Sequence, residues 1–429
     1  MEQQTTIDVA VVGAGIVGIC CACYLKQAGL NVLLLDRQPP AEGASKGNAG
    51  HFATEQVLPL ASPHILTKIP AMLLNPLGPV AIQWQYLPQI LPWLMRFIWQ
   101  SRMHTFKQNM LALQALNEEA LTAYRPLLKA AKIEHLVNIH GSMVVFESQA
   151  AFAANQAQYQ LMAAHGVIVN YLTAEEVRAL EPLLSKQVTA GVLFPNTGHT
   201  INPYRLAIDL YDYYRKIGGH FQCANVTALY KTADGCVIHV QPRDYLHSQK
   251  ENSQYQVRRL VLTTGAWSKQ WVQQLTGIKV PLDTERGYHL MVPGANQMLK
   301  MAVSSGERKF IMTPMEAGLR LAGTVEFAGL QRPANMKRAD MLLQHAKALI
   351  PELPNQPGER WMGFRPSLPD SLPVIDQIGP IYFAFGHQHL GLTQAAITGQ
   401  LIKEMIQGVK PSINLTPYRI TRFGGSCRD

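Results

Sequence analysis

Gly13, Gly15 and Gly18, with Ala14, Ile16 and Val17 between them, form a G-x-G-x-x-G turn at the front of the chain. The chemistry such a turn permits is pyrophosphate binding. Its first glycine makes the tight turn, its second lets phosphate approach the backbone, and its third lets helix and strand pack closely. A helix opening at this point aims free N–H groups at the anion. Asp36 stands where a carboxylate accepts hydrogen bonds from ribose hydroxyls. Arg37 and Gln38 follow it; the acid disfavours a 2′-phosphate, and the arginine beside it softens that preference.

The elements that must hold these residues are legible around them. Ile7 to Val12 is a β-branched-rich run, as expected of a parallel strand buried on both faces. A small-residue helix runs to about Ala28 and stops at Gly29, and a second strand from Asn31 to Leu35 ends at Asp36. Strand, glycines, helix, strand and acid in that order make a βαβ unit of about 30 residues, so the turn is read as a dinucleotide site. Cys20 and Cys23 form a C-x-x-C within the helix, beside Cys21 and Ala22. Small side chains there serve close packing on a sheet, and a redox role is set aside.

A polar loop, Gly43-Ala44-Ser45-Lys46-Gly47-Asn48-Ala49-Gly50, follows the ribose acid where another βα unit would ordinarily come, and His51 adjoins it. It resembles the flavin-contacting loop of the D-amino acid oxidase superfamily, which includes glycine oxidase, sarcosine oxidase and D-amino acid dehydrogenase. The Ser-x-x-Asn-Ala-Gly wording is most like the dehydrogenase branch, with D-hydroxyproline dehydrogenase as a neighbouring possibility. Two later segments carry the same resemblance. Leu260 to Leu262 reads as a strand closing in Thr263-Thr264-Gly265-Ala266-Trp267, and Val226 lies in a strand upstream. Gly363-Phe364-Arg365-Pro366 leads into Pro369-Asp370 and Pro373-Val374-Ile375; strand Tyr382 to Phe385 comes next. Gly386-His387-Gln388-His389-Leu390-Gly391-Leu392-Thr393 then opens a helix reaching about Gln407. Many relatives have glycine where this chain has Gln388.

The resemblance implies FAD as the cofactor. It places Ser45, Asn48, Ala49, Gly50 and His51 near the flavin, and Val226 near the adenine. Gly265, Ala266 and Trp267 would bring backbone to the cofactor. Gly386, Leu390, Gly391, Leu392 and Thr393 would present a helix N-terminus to the flavin's pyrimidine end, where it favours the negative charge of reduction. Arg365 matches the family's carboxylate-binding arginine, and a planar guanidinium suits a carboxylate because it binds both oxygens at once. Tyr288, in the strand Arg286 to Val292, would offer its phenol to the substrate, and His387 would hydrogen-bond flavin or substrate amine. His387-x-His389 has no carboxylate or cysteine cluster nearby in sequence and is not read as a metal site.

The expected activity is FAD-dependent oxidation of a D-amino acid, or of a cyclic amine such as D-hydroxyproline, by hydride transfer from Cα to flavin N5, giving an imine. Electrons would pass to a quinone or another carrier. The alternatives are an oxygen-using oxidase of the glycine or sarcosine type and a flavin-carrying subunit of a larger complex. An NAD-dependent dehydrogenase is disfavoured, because the C-terminal flavin loop has no place in one.

The 429 residues are 47% hydrophobic and 16% charged, with no low-complexity tract or repeat, which excludes extended disorder and solenoids. The net charge of +9 is dispersed and lacks any nucleic-acid-binding signature, so no nucleic-acid partner is expected. Six cysteines do not make a disulfide framework, and Met1 to Asp8 lacks the charged start and apolar run of a secretory signal. The expectation is a cytoplasmic protein, with peripheral contact on the inner face of the membrane. Residues 69–95 carry no charge but are broken by Pro70, Pro76, Pro79, Pro88 and Pro92, which argues against a spanning helix and for an irregular cap or interfacial patch.

The fold class expected is α/β, a Rossmann-type FAD-binding domain interleaved with an α+β substrate domain on a mostly antiparallel sheet. The FAD domain takes 1–60, 200–280 and 365–425; the substrate domain takes 61–199 and 281–364. Helical periodicity marks Met110 to Ala131 and Asp340 to Leu349, and Thr173-x-x-Glu176 starts a short helix.

Overall fold

The computed structural model describes residues 7–63, 78, 80–242 and 253–424. The first part of the uncharged stretch, the extreme N-terminus and the last five residues lie outside the described residues. Strand Ile7–Val12 is sandwiched between Val32–Asp36 and Ser253–Leu262, parallel to both. Its alternate side chains feed two cores. Val9 and Val11 join one and Ala10 and Val12 the other, which is why the run shows no polar alternation.

Ile381–Phe385 extends this sheet in parallel, and Val374–Ile378 closes its edge antiparallel. On the other side His220–Thr232 pairs first with Val32–Asp36, then turns through Gly235–Pro242 back to Ser253–Leu262. The expected meander is present.

Helices Ile16–Gln27, Pro203–Lys216 and Gly391–Gln407 share the core on one face. Helix Met103–Ala131 joins them through Leu113, Leu116, Tyr124 and Leu127, and the Tyr124 hydroxyl donates to the Leu392 carbonyl at 2.7 Å. This helix thus packs against the helices that cover the dinucleotide sheet. Periodicity reports that a helix is amphipathic, not which elements its apolar face meets.

Nine described strands form the second sheet, centred on Arg360–Ser367, Asp283–Val292, Gly318–Phe327 and Phe310–Met315, which pair antiparallel with one another. Parallel pairs of Ser142–Phe146 with Ala302–Ser305 and of Val80–Ile82 with Gly318–Phe327 make it mixed. The Thr173 hydroxyl and the Glu176 carboxylate form a reciprocal capping box, as their spacing predicts. Helix Lys337–Leu349 extends the predicted one by a turn.

Residues 87–100 depart from expectation. They form a regular helix, Leu87–Gln100, with Pro88 in its first turn and Pro92 inside. Ile90 and Trp93 bury against Phe327, while Trp84 just before the helix and Met95 and Trp99 on it stay exposed. Among the described residues no helix is long and apolar enough to cross a membrane.

Candidate active site

The glycine turn divides into positions the chain itself requires and one it leaves open. Gly13 has φ +112°, and a Cβ there would stand 2.5 Å from the Thr263 carbonyl oxygen. A Cβ on Gly18 would stand 1.8 Å from the Gly13 carbonyl oxygen. At Gly15 an added Cβ meets only the Ser45 hydroxyl, at 3.3 Å. This free approach is the cradle a pyrophosphate needs, so the residues fit the group.

Asp36 is fixed from both sides: the Ala14 N–H donates to Oδ2 at 2.6 Å and the Gln38 N–H to Oδ1 at 2.9 Å. Burial raises its pKa, and these two N–H groups oppose the rise. Ser45 accepts from the Ile16 N–H at 2.9 Å, which ties the polar loop to the first helix. The Arg37 guanidinium lies over the Trp267 ring, 4.1 Å from its centre.

One continuous cavity gathers most of the sequence-predicted residues. Gly13, Gly15, Ile16, Val17, Asp36, Arg37, Gln38, Ser45, Asn48 and Ala49 line it, as do Val226, Gly265, Ala266 and Trp267. Gly386, His387, Gly391 and Leu392 line its far part with Tyr288 and Arg365. Ala14, Gly18, Gly50, Leu390 and Thr393 stand behind this lining; the Thr393 hydroxyl accepts from the Ala53 N–H at 3.0 Å. His51 also stands back, its Nε2 at 3.2 Å from the Ser142 hydroxyl and 3.7 Å from the Glu55 carboxylate. Helices Ile16–Gln27 and Gly391–Gln407 both open at the cavity and carry no acidic residue in the first turn, so both offer it a positive end.

At the Arg365 end, strands Asp283–Val292 and Arg360–Ser367 pair Glu285 with Arg365 and Gly287 with Gly363. Arg365 folds across Gly287: a Cβ at 287 would sit 2.3 Å from its Nη2. Its Nη1 donates to the Thr324 carbonyl at 3.3 Å. Thr324 is β-branched yet has φ +58°, beside the register shift that separates Arg286 from Tyr288. Strain of this kind is held where surrounding structure fixes it, and here it presents a carbonyl to the guanidinium. Burial lowers the Arg365 pKa and Glu285 opposes that shift. Glu285 is itself buried, its pKa raised by burial against a hydrogen bond from the Ser367 hydroxyl.

Tyr288 donates to Glu326 at 2.5 Å and accepts from the Asn335 N–H at 3.2 Å. Burial, with Glu326 adding to it, pushes the phenol up to about 12, so it stays protonated. Arg286, two positions before Tyr288, is fully buried and donates to the carbonyls of Ala328, Gly329, Arg332 and Pro333. It is a structural clasp. His387 shares a hydrogen bond with Thr398, 2.9 Å from Nε2, and burial brings its pKa down to about 3. His389 lines the cavity too, held at about 4 by burial and then by Arg365 and His51.

Trp361, Gly287 and Ala322 also line the cavity and were not singled out from sequence. The signal for Trp361 was glycine: a Cβ on Gly47 or Gly363 would fall inside or against its ring, at 2.2 and 1.9 Å. The Cys20, Cys21 and Cys23 thiols are buried and free, and burial raises all three, which agrees with packing rather than redox use. Among the described residues no group of three or more potential ligands is placed to hold a metal.

Residues 8–405 match the model of the DAO family, described as FAD dependent oxidoreductase. A D-amino-acid oxidase of Bradyrhizobium diazoefficiens is 34% identical over 97% of this chain and 98% of its own length. D-amino acid dehydrogenase 2 of Ralstonia nicotianae is 28% identical over 97% of this chain and all of its own. Among solved structures, glycine oxidase from Geobacillus kaustophilus superposes with a TM-score of 0.73 at 19% identity, covering 97% of this chain and 99% of that one.

Proposed function

This chain belongs to the FAD-dependent oxidoreductase family named DAO, and on that premise we propose that its substrate is a D-amino acid or a cyclic amine such as D-hydroxyproline. The enzyme uses FAD and acts on a CH–NH group. When bound, FAD supplies a hydride acceptor at N5, and the substrate Cα–H is the hydride given up as the amine becomes an imine. The protein's own residues orient. Arg365, with Gly287 leaving room for its guanidinium, binds the carboxylate and so aims Cα–H into the cavity. The phenol of Tyr288, held by Glu326, forms the adjoining wall. His387 and His389 are neutral at physiological pH and add no charge that would repel an amine. The single observation that carries this reading is Arg365 lying across Gly287 in the cavity that begins at the glycine turn.

The interleaved division into an FAD and a substrate domain is kept as part of the proposal, with helix Met103–Ala131 assigned to the FAD side. For the electron acceptor we favour a quinone or another carrier reached at the membrane face. Helix Leu87–Gln100 supports this: Trp84, Leu91, Met95, Ile98 and Trp99 are exposed, and the sequence from Gln56 to Asn117 has no acidic residue. The same helix meets the substrate side, since Trp93 donates to the Ser367 carbonyl two residues from Arg365. An oxygen-using oxidase is the second reading, favoured by the name of the 34% identical relative. The test is anaerobic mixing of purified protein with D- and L-amino acids while flavin absorbance is followed, then reoxidation by quinone analogue or by oxygen. Bleaching by no amino acid would reject the substrate reading; peroxide formation outpacing quinone reduction would select the oxidase.

A further inference from the structure

Gln388 occupies a backbone position that glycine fills without strain. Its φ is +51°, in the left-handed region where a non-glycine residue is uncommon and which is retained at functional sites. The residue lines the cavity and is 7% exposed. Two bonds hold the residue to the segment just past Arg365: its N–H donates to the Pro366 carbonyl at 3.0 Å, and its Nε2 to the Leu368 carbonyl at 2.7 Å. A carbonyl accepts and cannot donate, so the amide can face Leu368 only through its nitrogen, and the other end must be oxygen. Oε1 has no hydrogen-bond donor among the described residues, and it is not one of the enclosed, unsatisfied atoms. It is an acceptor of fixed orientation on a residue that forms the cavity wall.

An amino acid in this cavity needs two anchors. Arg365 serves the anion; the amine needs an acceptor. Tyr288 is committed to Glu326 and Asn335, and His387 to Thr398. We infer that Gln388 Oε1 accepts a hydrogen bond from the substrate amine, so that the closing loop and the Arg365 strand, tied by the same side chain, grip Cα from both sides. This rests on the amino-acid reading above. It also gives a reason for a long side chain at a position where glycine would be unstrained: the amide is the ligand.

The experiment compares the amino acid that bleaches the flavin fastest with its N-methyl and N,N-dimethyl derivatives, on holoenzyme, for wild type and Gln388→Met. Methionine matches glutamine in length and offers no oxygen. Wild type is expected to lose about 10- to 100-fold in kcat/KM on going to the dimethyl compound, the worth of one polar hydrogen bond left unmade. Gln388→Met is expected to lose a similar factor on the parent amino acid and to be nearly indifferent to N-methylation. Gln388→Gly, which relieves the positive φ, gives the same readout if the methionine variant holds FAD poorly.

An equal loss by Gln388→Met on all three compounds would mean the side chain only braces the loop, and the inference would fall. A shifted flavin spectrum with the N-methylation response retained would assign Oε1 to the flavin, and would also overturn it. Loss of that response in His389→Leu, with Gln388→Met unchanged, would give the amine to His389. If instead Arg365→Lys leaves kcat/KM intact, the carboxylate reading fails separately, because the N-methyl series reads the amine end alone.

Discussion

Gly287→Ala separates a binding geometry from a fold. The added methyl would stand 2.3 Å from Arg365 Nη2, 2.4 Å from Cζ and 2.8 Å from Nε. Ordinary contact starts near 3.4 Å, so the guanidinium must retreat by about 1 Å. That retreat is easy for the protein, since the obstructing atoms are the end of a flexible side chain beside a cavity. For the substrate it is not. A displacement of about 1 Å in a positioning group costs on the order of 100-fold in rate, or about 2.7 kcal/mol of transition-state stabilisation. The variant should therefore be yellow and melt near the wild-type temperature, and its kcat/KM should fall about 100-fold for every amino acid the wild type oxidises. Steady-state kinetics beside flavin content and thermal denaturation make the measurement. A Gly287→Ala enzyme within threefold of wild-type kcat/KM would refute the placement of Arg365 over Gly287, or its role at the carboxylate.

The glycine turn supplies a paired test. Gly15→Val should fold and lose its flavin, because the chain leaves Gly15 open, whereas Gly18→Ala should fail to fold, its Cβ falling on the Gly13 carbonyl oxygen; circular dichroism and flavin absorbance on both variants decide it. Arg365→Lys keeps a charge but not the fork and should raise KM strongly with FAD content unchanged; an unchanged KM speaks against bidentate binding. His289 is held at about 3 by burial and then by Arg320, so it is neutral when folded and takes a proton below about pH 6.5 when unfolded. Its contribution is present above that pH and declines as pH falls, by about 1.4 kcal/mol per unit. The stability of wild type should therefore drop relative to His289→Gln between pH 6.5 and 5 in urea titrations, and a constant gap would contradict the assignment.

The cofactor half of the site was readable because its signals are local. Gly13, Gly15, Gly18 and Asp36 sit within one βαβ unit and are recognisable together by their spacing, although the strand end at Thr263 that also crowds Gly13 lies far along the chain. The substrate half is built across an antiparallel register. Nothing near Gly287 in sequence says that residue 365 will lie over it; that follows from Gly287 pairing with Gly363, a relation between segments about 76 positions apart. A glycine inside a strand does announce a close approach, and Gly287 and Gly363 both have one. Arg286 shows the opposite failure. An arginine two positions from a cavity-lining tyrosine has the right type and place along the strand, but four backbone carbonyls take its donors and Glu326 stands 3.8 Å from its Nη1, so none is left for a carboxylate. The helix Leu87–Gln100 was obscured by its prolines. Pro88 falls in the first turn, where no N–H partner is needed, and Pro92 forfeits one bond within a helix fastened by Ile90 and Trp93.

The two helices that open at the cavity come from opposite ends of the chain, and they touch without side chains between them: a Cβ on Gly399 would stand 2.8 Å from the Cys20 carbonyl carbon. Strand Ile7–Val12, likewise, has no partner on one flank until Ser253–Leu262 exists, and that strand awaits Ile381–Phe385. During synthesis the first βαβ unit must therefore wait for its last sheet and helix partners until residues 381–407 have left the ribosome, even though helices Met103–Ala131 and Pro203–Lys216 reach its core face earlier. Contacts this distant in sequence make for slow folding. They also make cofactor retention a proofreading step, because a chain truncated before the last helix has half a cradle, and FAD, binding only the finished site, draws the equilibrium toward the complete fold.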